Sequence, residues 1–122
     1  MRSKLVLTFA ALLLLATVSS QAATLRTLVV ETPDIDAYLE GVKRGKQLLK
    51  SKGSPATIRV WKARFAGDRA GTVVVAVEYP SLEALAKDDS LMKSDAELKA
   101  WLEGLNKIRK VVSDSIYDEL TP

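Results

Sequence analysis

The stretch from Thr57 to Tyr79 constrains this chain more than any other, because it reads as one β-hairpin: TIRVWKARF, a link AGDRAG, then TVVVAVEY. Both arms are dense in β-branched and aromatic residues, which suit a pleated, half-buried surface. The link supplies Gly67, Asp68 and Gly71 for a tight reversal. Pairing Phe65 with Thr72 sets Ala63 against Val74, Trp61 against Ala76 and Arg59 against Glu78 on one face. The alternate positions then set Arg64 against Val73, Lys62 against Val75, Val60 against Val77 and Ile58 against Tyr79. That second face is strongly apolar toward Tyr79 and calls for helices over it.

Residues 1–22 have the layout of a secretory signal peptide: Arg2 and Lys4, an apolar run from Leu5 to Val18, then Ser20 and Ala22 as the small-residue pair a signal peptidase needs. The run is short for a bilayer span, so cleavage after Ala22 is expected in preference to an uncut anchor. No later stretch is apolar for long enough to span a membrane, and no membrane association is expected after cleavage. Residues 23–122 then suit a single domain with its own core. Of the 18 basic residues, Arg2 and Lys4 leave with the leader, so 16 remain against 15 acidic ones. A nearly neutral domain offers no global field for nucleic acid. Cysteine is absent, which excludes disulfides and lipid attachment at a cysteine after the leader. A core-stabilised protein of the periplasm or the extracellular medium is the expectation.

Before the hairpin, Leu25 to Glu31 predicts a strand, followed by a helix that Thr32 can cap, with Pro33 in its first turn and Asp34 and Asp36 at the positive end of its dipole. Ile35, Tyr38, Leu39, Val42 and Leu49 form its apolar stripe, and Gly53, Ser54 and Pro55 end it. Gly41 and Gly45 share one face of that helix, a spacing that suits close approach of a neighbour. Lys43, Arg44, Lys46, Lys50 and Lys52 read as a solvated face whose cations complement the C-terminal end of the dipole, with anion binding as the alternative. After the hairpin, Ser81 caps a second helical region. Ser94 and Glu97 have capping-box spacing, which predicts a break: one helix to about Asp88, another from near Asp95. Leu98, Trp101, Leu102, Leu105 and Ile108 give the latter an apolar face, with Trp101 read as core. Val111 to Tyr117 predicts the last strand.

Strand, helix, strand, strand, broken helix, strand is the ferredoxin-like βαββαβ plan: an α+β domain with a four-stranded antiparallel sheet and its helices on one face. The other face would carry Arg59, Trp61, Ala63, Phe65, Thr72, Val74, Ala76 and Glu78, too apolar to leave in water. Through RVWKARF, GTVVVAVEYPSLEALA, KSDAELKAWL and VVSDSIYDEL, the chain resembles the dimeric α/β-barrel superfamily, which includes antibiotic-biosynthesis-monooxygenase and NIPSNAP-like domains. The resemblance is one of pattern and element order across nearly all of residues 23–122. It implies a homodimer in which two sheets close face to face, with Trp61, Phe65, Val74 and Ala76 at the interface. Members of the superfamily differ widely in activity, so it implies no single reaction.

The chain has no histidine and no cysteine, which excludes a histidine general base, Ser-His or Cys-His nucleophile pairs and ordinary zinc or haem ligand sets. The resemblance therefore does not extend to the histidine-dependent haem enzymes of the superfamily, and no metal or other cofactor is expected. No phosphate loop or dinucleotide fingerprint is present. Asp88 and Asp89 diverge on a helix and read as solvated rather than as a metal pair. What remains is Arg59, Trp61 and Glu78, joined by Tyr117 or Asp114 of the last strand. They read either as a pocket in which Arg59 anchors an anionic or carbonyl group against Trp61, or as an interfacial Arg59–Glu78 ion pair beside a packed tryptophan. Two functional classes stand on this: an exported homodimeric domain that binds a small ligand, and a cofactor-independent monooxygenase or isomerase.

Overall fold

A computed structural model describes residues 22–120, so the expected leader lies, apart from Ala22, outside the described residues. In chain order the elements are β1 (Thr24–Glu31), α1 (Ile35–Ser51), β2 (Thr57–Lys62), β3 (Val73–Tyr79), α2 (Leu82–Ser94), α3 (Ala96–Asn106) and β4 (Lys110–Asp118). The strands form one antiparallel sheet in the order β2-β3-β1-β4. This is the ferredoxin-like arrangement, with the first and third strands central and the last strand returning beside the first.

Strand alternation decides which face each side chain takes. Leu28 and Val30 of β1 and Val73, Val75 and Val77 of β3 meet Tyr38 and Val42 of α1 and Leu105 of α3 in one apolar core. Asp34 caps α1 by accepting the Ala37 N–H at 3.1 Å, and Ser81 caps α2 by accepting the Ala84 N–H at 3.1 Å. Thr32, expected as the first cap, instead donates to the Ile108 carbonyl at 2.7 Å and ties the start of α1 to the chain entering β4. Leu39, placed in the apolar stripe, is exposed, because the stripe that meets the sheet is narrower than the periodicity implied.

The helical break lies at Asp95, several residues beyond Asp88. Asp95 is extended and accepts the Leu98 N–H at 3.1 Å, whereas Ser94 ends α2 by donating to the Ser90 carbonyl. Lys52, at the end of α1, reaches across to Asp95 at 2.9 Å and Glu97 at 3.2 Å, so it belongs to a clamp between helices. The other four basic residues of α1 are exposed.

Gly41 and Gly45 let α3 approach α1 closely. A Cβ on Gly45 would fall inside the indole of Trp101, and one on Gly41 would lie 2.8 Å from Leu105 Cδ1. The indole N–H of Trp101 donates to the Gly41 carbonyl at 2.8 Å, which fixes the ring across the helix.

The hairpin forms, but its register differs by two residues from the expected one. Arg59 lies opposite Ala76, Trp61 opposite Val74, and Glu78 opposite Thr57. The ladder closes where the Ala63 N–H donates to the Thr72 carbonyl and the Gly71 N–H to the Ala63 carbonyl, both at 2.8 Å. Arg64 and Phe65 therefore belong to the connecting loop. Gly67 and Gly71 take positive φ in it, a conformation that side-chain-bearing residues adopt at a cost, and Gly67–Arg69 make one turn of 3-10 helix. Because side chains alternate with period two, a shift of two leaves every residue on its expected face.

Candidate functional site

Two surfaces of this sheet could carry function. The face away from the helices holds the residues singled out from the sequence. Its transverse rows are Trp61–Val74–Val29–Ser113, Arg59–Ala76–Thr27–Ser115 and Thr57–Glu78–Leu25–Tyr117. Trp61 is 58% exposed and Tyr117 55%. Arg59 and Glu78 are diagonal neighbours instead of a direct pair, and no salt bridge joins them among the described residues. Glu78 and Tyr117 share a row but sit two strands apart, with Leu25 between them. Phe65, placed at an interface with Trp61, Val74 and Ala76, stands in the loop beyond the end of the sheet, 96% exposed. This face has one apolar row, Trp61–Val74–Val29, beside two mixed ones; Arg59 and Trp61 border an open depression against Lys43 and Lys46 of α1, and neither Glu78 nor Tyr117 lines it.

A more enclosed concavity lies on the other side. Between the sheet and the helices runs a cavity of about 270 Å³. Its floor is Leu28, Ile58, Val75 and Val77 of the sheet, and its roof is Val42, Trp101, Leu102 and Leu105 of α1 and α3. Strand alternation puts Arg26 of β1 on the same face as Leu28 and Val30, so a guanidinium enters a chamber whose floor and roof are apolar. Asp114 of β4 meets it there through a forked pair, Nε to Oδ1 at 3.0 Å and Nη2 to Oδ2 at 2.6 Å. Asp89 of α2 adds a longer contact at 3.5 Å and also pairs with Lys93. The hydrogen bond to Asp114 raises the Arg26 pKa, and the same bond holds the Asp114 carboxyl below the usual carboxylate range.

A second polar group completes the lining. Tyr38 is fully buried, and its hydroxyl accepts a hydrogen bond from Arg109 Nη1 at 3.1 Å. The guanidinium carbon lies 5.9 Å from the centre of the Tyr38 ring, and Arg109 Nε donates to Asn106 Oδ1 at 3.0 Å. Farther along the chamber, burial and then the charge of Asp88 push the Tyr79 phenol well above its ordinary pKa, so it stays neutral. Asp88 itself is 4% exposed and accepts a short hydrogen bond from the Ser54 hydroxyl, which corrects the expectation of a solvated aspartate. It joins the loop after α1 to α2 by taking the proton of the Ser54 hydroxyl, whose oxygen accepts the Ala56 N–H at 3.2 Å.

Sequence reasoning missed Arg26, Tyr38, Arg109 and Asp114 as a group. The available signal was Arg26, a charge at a position whose alternation partners are all core. Among the described residues no cluster of three or more acidic, histidine or cysteine side chains is placed to hold a metal ion. No described helix is long and apolar enough to cross a membrane.

No protein-family model matches the sequence, and no curated protein does. Solved structures share the fold at low identity. A NIPSNAP family protein from Agrobacterium tumefaciens aligns at 14% identity and TM-score 0.59, over 82% of this chain and 93% of its own. A Bordetella bronchiseptica protein provisionally named an antibiotic biosynthesis monooxygenase aligns at 11% identity and TM-score 0.57, over 84% and 99%. A dimeric ferredoxin-like protein from an uncultured marine organism aligns at 16% identity and TM-score 0.53, over 85% and 93%.

Proposed function

From this shared architecture we propose that the chain is an exported homodimeric domain that binds a small organic molecule between its sheet and its helices. The cavity carries the reading. It is near the lower end of the range for small-molecule sites, its walls are mostly apolar, and a few convergent polar groups interrupt them. A ligand there would be a short chain or a single ring. The homodimer would close through the uncovered sheet face, where the exposed Trp61 continues an apolar row through the half-buried Val74 and Val29, and burial returns about 25 cal/mol per Å². The dimeric ferredoxin-like structure supports this arrangement by analogy. Export rests on the leader sequence, with cleavage after Ala22.

The second reading is cofactor-independent oxygenation or isomerisation of the molecule held in that cavity. The provisional name of the Bordetella protein favours it, as does a phenol hydrogen-bonded to a guanidinium inside a chamber with an apolar floor and roof. A native mass spectrum of protein taken from its own cell envelope tests the first reading, with a dimer carrying retained small-molecule mass as the expected result. A monomer with an empty cavity that no small molecule stabilises in a thermal-shift screen would refute it.

A further inference from the structure

We propose that Tyr38 and Arg109 form an anchor for the carboxylate of a small, otherwise apolar monocarboxylic acid; the inference rests on the reading of the cavity as a ligand site. Two guanidiniums line the chamber, and they are not in the same condition. Arg26 is neutralised by the forked bond from Asp114 and by Asp89. Arg109 bonds only to neutral acceptors, the Tyr38 hydroxyl and the Asn106 side-chain oxygen, and among the described residues no carboxylate lies within ion-pair distance of it. The two carboxylates that share the lining, Asp89 and Asp114, are engaged by Arg26 and Lys93. The lining is neutral in sum, two guanidiniums against two carboxylates, and the half-buried Arg109, whose charge also acts on Asp114, is the cation left without a direct ion pair among the described residues.

The hydrogen-bond inventory points the same way. A guanidinium carries five N–H donors, and Arg109 uses one on Nε and one on Nη1, which leaves Nη2 without a partner among the described residues. The Tyr38 hydroxyl accepts from Arg109 and, among the described residues, meets no acceptor for its own proton, although the residue is fully buried. A spare phenol donor and spare guanidinium donors therefore stand side by side at the chamber wall. A carboxylate meets both at once, one oxygen on Tyr38 O–H and the other on Arg109 Nη2, and gains charge-assisted bonds that a neutral group lacks. Leu28, Val42, Val75, Trp101 and Leu105 surround the remaining space and accept only an apolar body.

Matched pairs of acids and amides test this by calorimetric titration of the purified protein with benzoate, phenylacetate and hexanoate against benzamide, phenylacetamide and hexanamide. The expected result is that at least one acid binds ~10-fold or more tightly than its amide, a difference of ~1.4 kcal/mol. Arg109→Met is expected to erase that ratio by weakening acid binding far more than amide binding. Tyr38→Phe keeps the ring and its packing and is expected to narrow the ratio, so it carries the test should Arg109→Met fail to fold. A purely structural role would lower acid and amide binding together and leave the ratio unchanged. Equal binding of acids and amides by the wild type would overturn the anchor and leave the cavity reading in place. An acid preference that survives both substitutions would also overturn it. If none of the six compounds binds, the anchor is overturned, and the cavity reading is decided separately by the mass spectrum and the thermal-shift screen.

Discussion

Gly45→Ala puts the packing of α3 on α1 to a sharp test, because two effects of opposite sign meet at one atom. In a helix interior alanine is favoured over glycine by about 1 kcal/mol, so the substitution taken alone should stabilise. The added methyl would, however, lie within the indole of Trp101, a rigid ring that cannot fold out of the way. Displacing the ring breaks its hydrogen bond to the Gly41 carbonyl, a loss of about 0.5 to 1.5 kcal/mol, and overpacks the contact at a cost of about 1 to 3 kcal/mol. The balance is a net destabilisation of about 2 kcal/mol, or a fall in Tm on the order of 10 °C for a domain of this size. Gly104→Ala in α3 is the control, since nothing lies within 4 Å of the position its methyl would take; it should gain about 0.5 to 1 kcal/mol. Gly41→Ala should fall between them, because the obstructing atom is the end of the flexible Leu105 side chain. Urea unfolding at one fixed protein concentration, followed by tryptophan fluorescence, ranks the three. A Gly45→Ala protein as stable as the wild type would show that Trp101 does not hold the two helices together.

Asp114→Asn should flatten the acid limb of the stability curve. The native carboxyl is held below its ordinary range by Arg26, so its contribution is complete above the unfolded value near ~3.9 and fades as pH falls below it; with both partners part exposed, at most ~1 kcal/mol should be lost at pH 7. Parallel curves for the two proteins from neutral pH down to acid unfolding would contradict this. Asp88→Ala leaves the Ser54 hydroxyl without its acceptor and the Tyr79 phenol without its neighbouring charge. The expected cost is about 2 to 4 kcal/mol by denaturant unfolding, and a change under ~0.5 kcal/mol would mean the buried carboxylate is not a stabilising partner. Trp61→Glu puts a charge into the apolar row of the uncovered sheet face and should yield monomer or insoluble protein. A soluble dimer by light scattering would place the contact between copies elsewhere.

Element order and strand faces were legible in the residues, while register and cavity were not, for reasons that can be named. Val73, Val75 and Tyr79 alternate so regularly with Val74, Ala76 and Glu78 that the covered face of β3 follows from the pattern alone. Arg64 and Phe65 continue the alternation of β2 past its structural end. The length of the reversal was set by the positive φ of Gly67 and Gly71, a backbone requirement that composition indicates without counting the loop. The α2–α3 break was visible as a capping signal, but the choice of Asp95 over Ser94 depended on the extended backbone there. The cavity was hidden because its polar lining is assembled over long separations. Arg26 finds Asp114 from 88 residues away and Arg109 finds Tyr38 from 71, and Tyr38 taken singly is an ordinary member of an apolar stripe. Arg26 alone, charged at a core-facing position of β1, marked the place.

The strand order β2-β3-β1-β4 sets a sequence of events for a chain made from its N-terminus. Of the described elements β1 is made first and becomes a central strand of the sheet, yet one of its two neighbours, β4, is made last; Thr24 meets Asp118 across 94 residues. Such a distant pairing closes late, because the entropy of a long loop is lost before its contacts form. Until then β1 offers a bare row of backbone donors and acceptors beside Leu25, Leu28 and Val29, the kind of edge on which another chain can add a strand. β4 replaces that edge with one that discourages growth: Lys110, Asp114 and Asp118 place charges along it, and the register shift opposite Val29 and Val30 breaks its regularity. Ribosome-stalled or truncated chains ending before Lys110 are accordingly the species most prone to self-associate, and the final nine-residue strand is what makes the sheet safe to keep at high concentration.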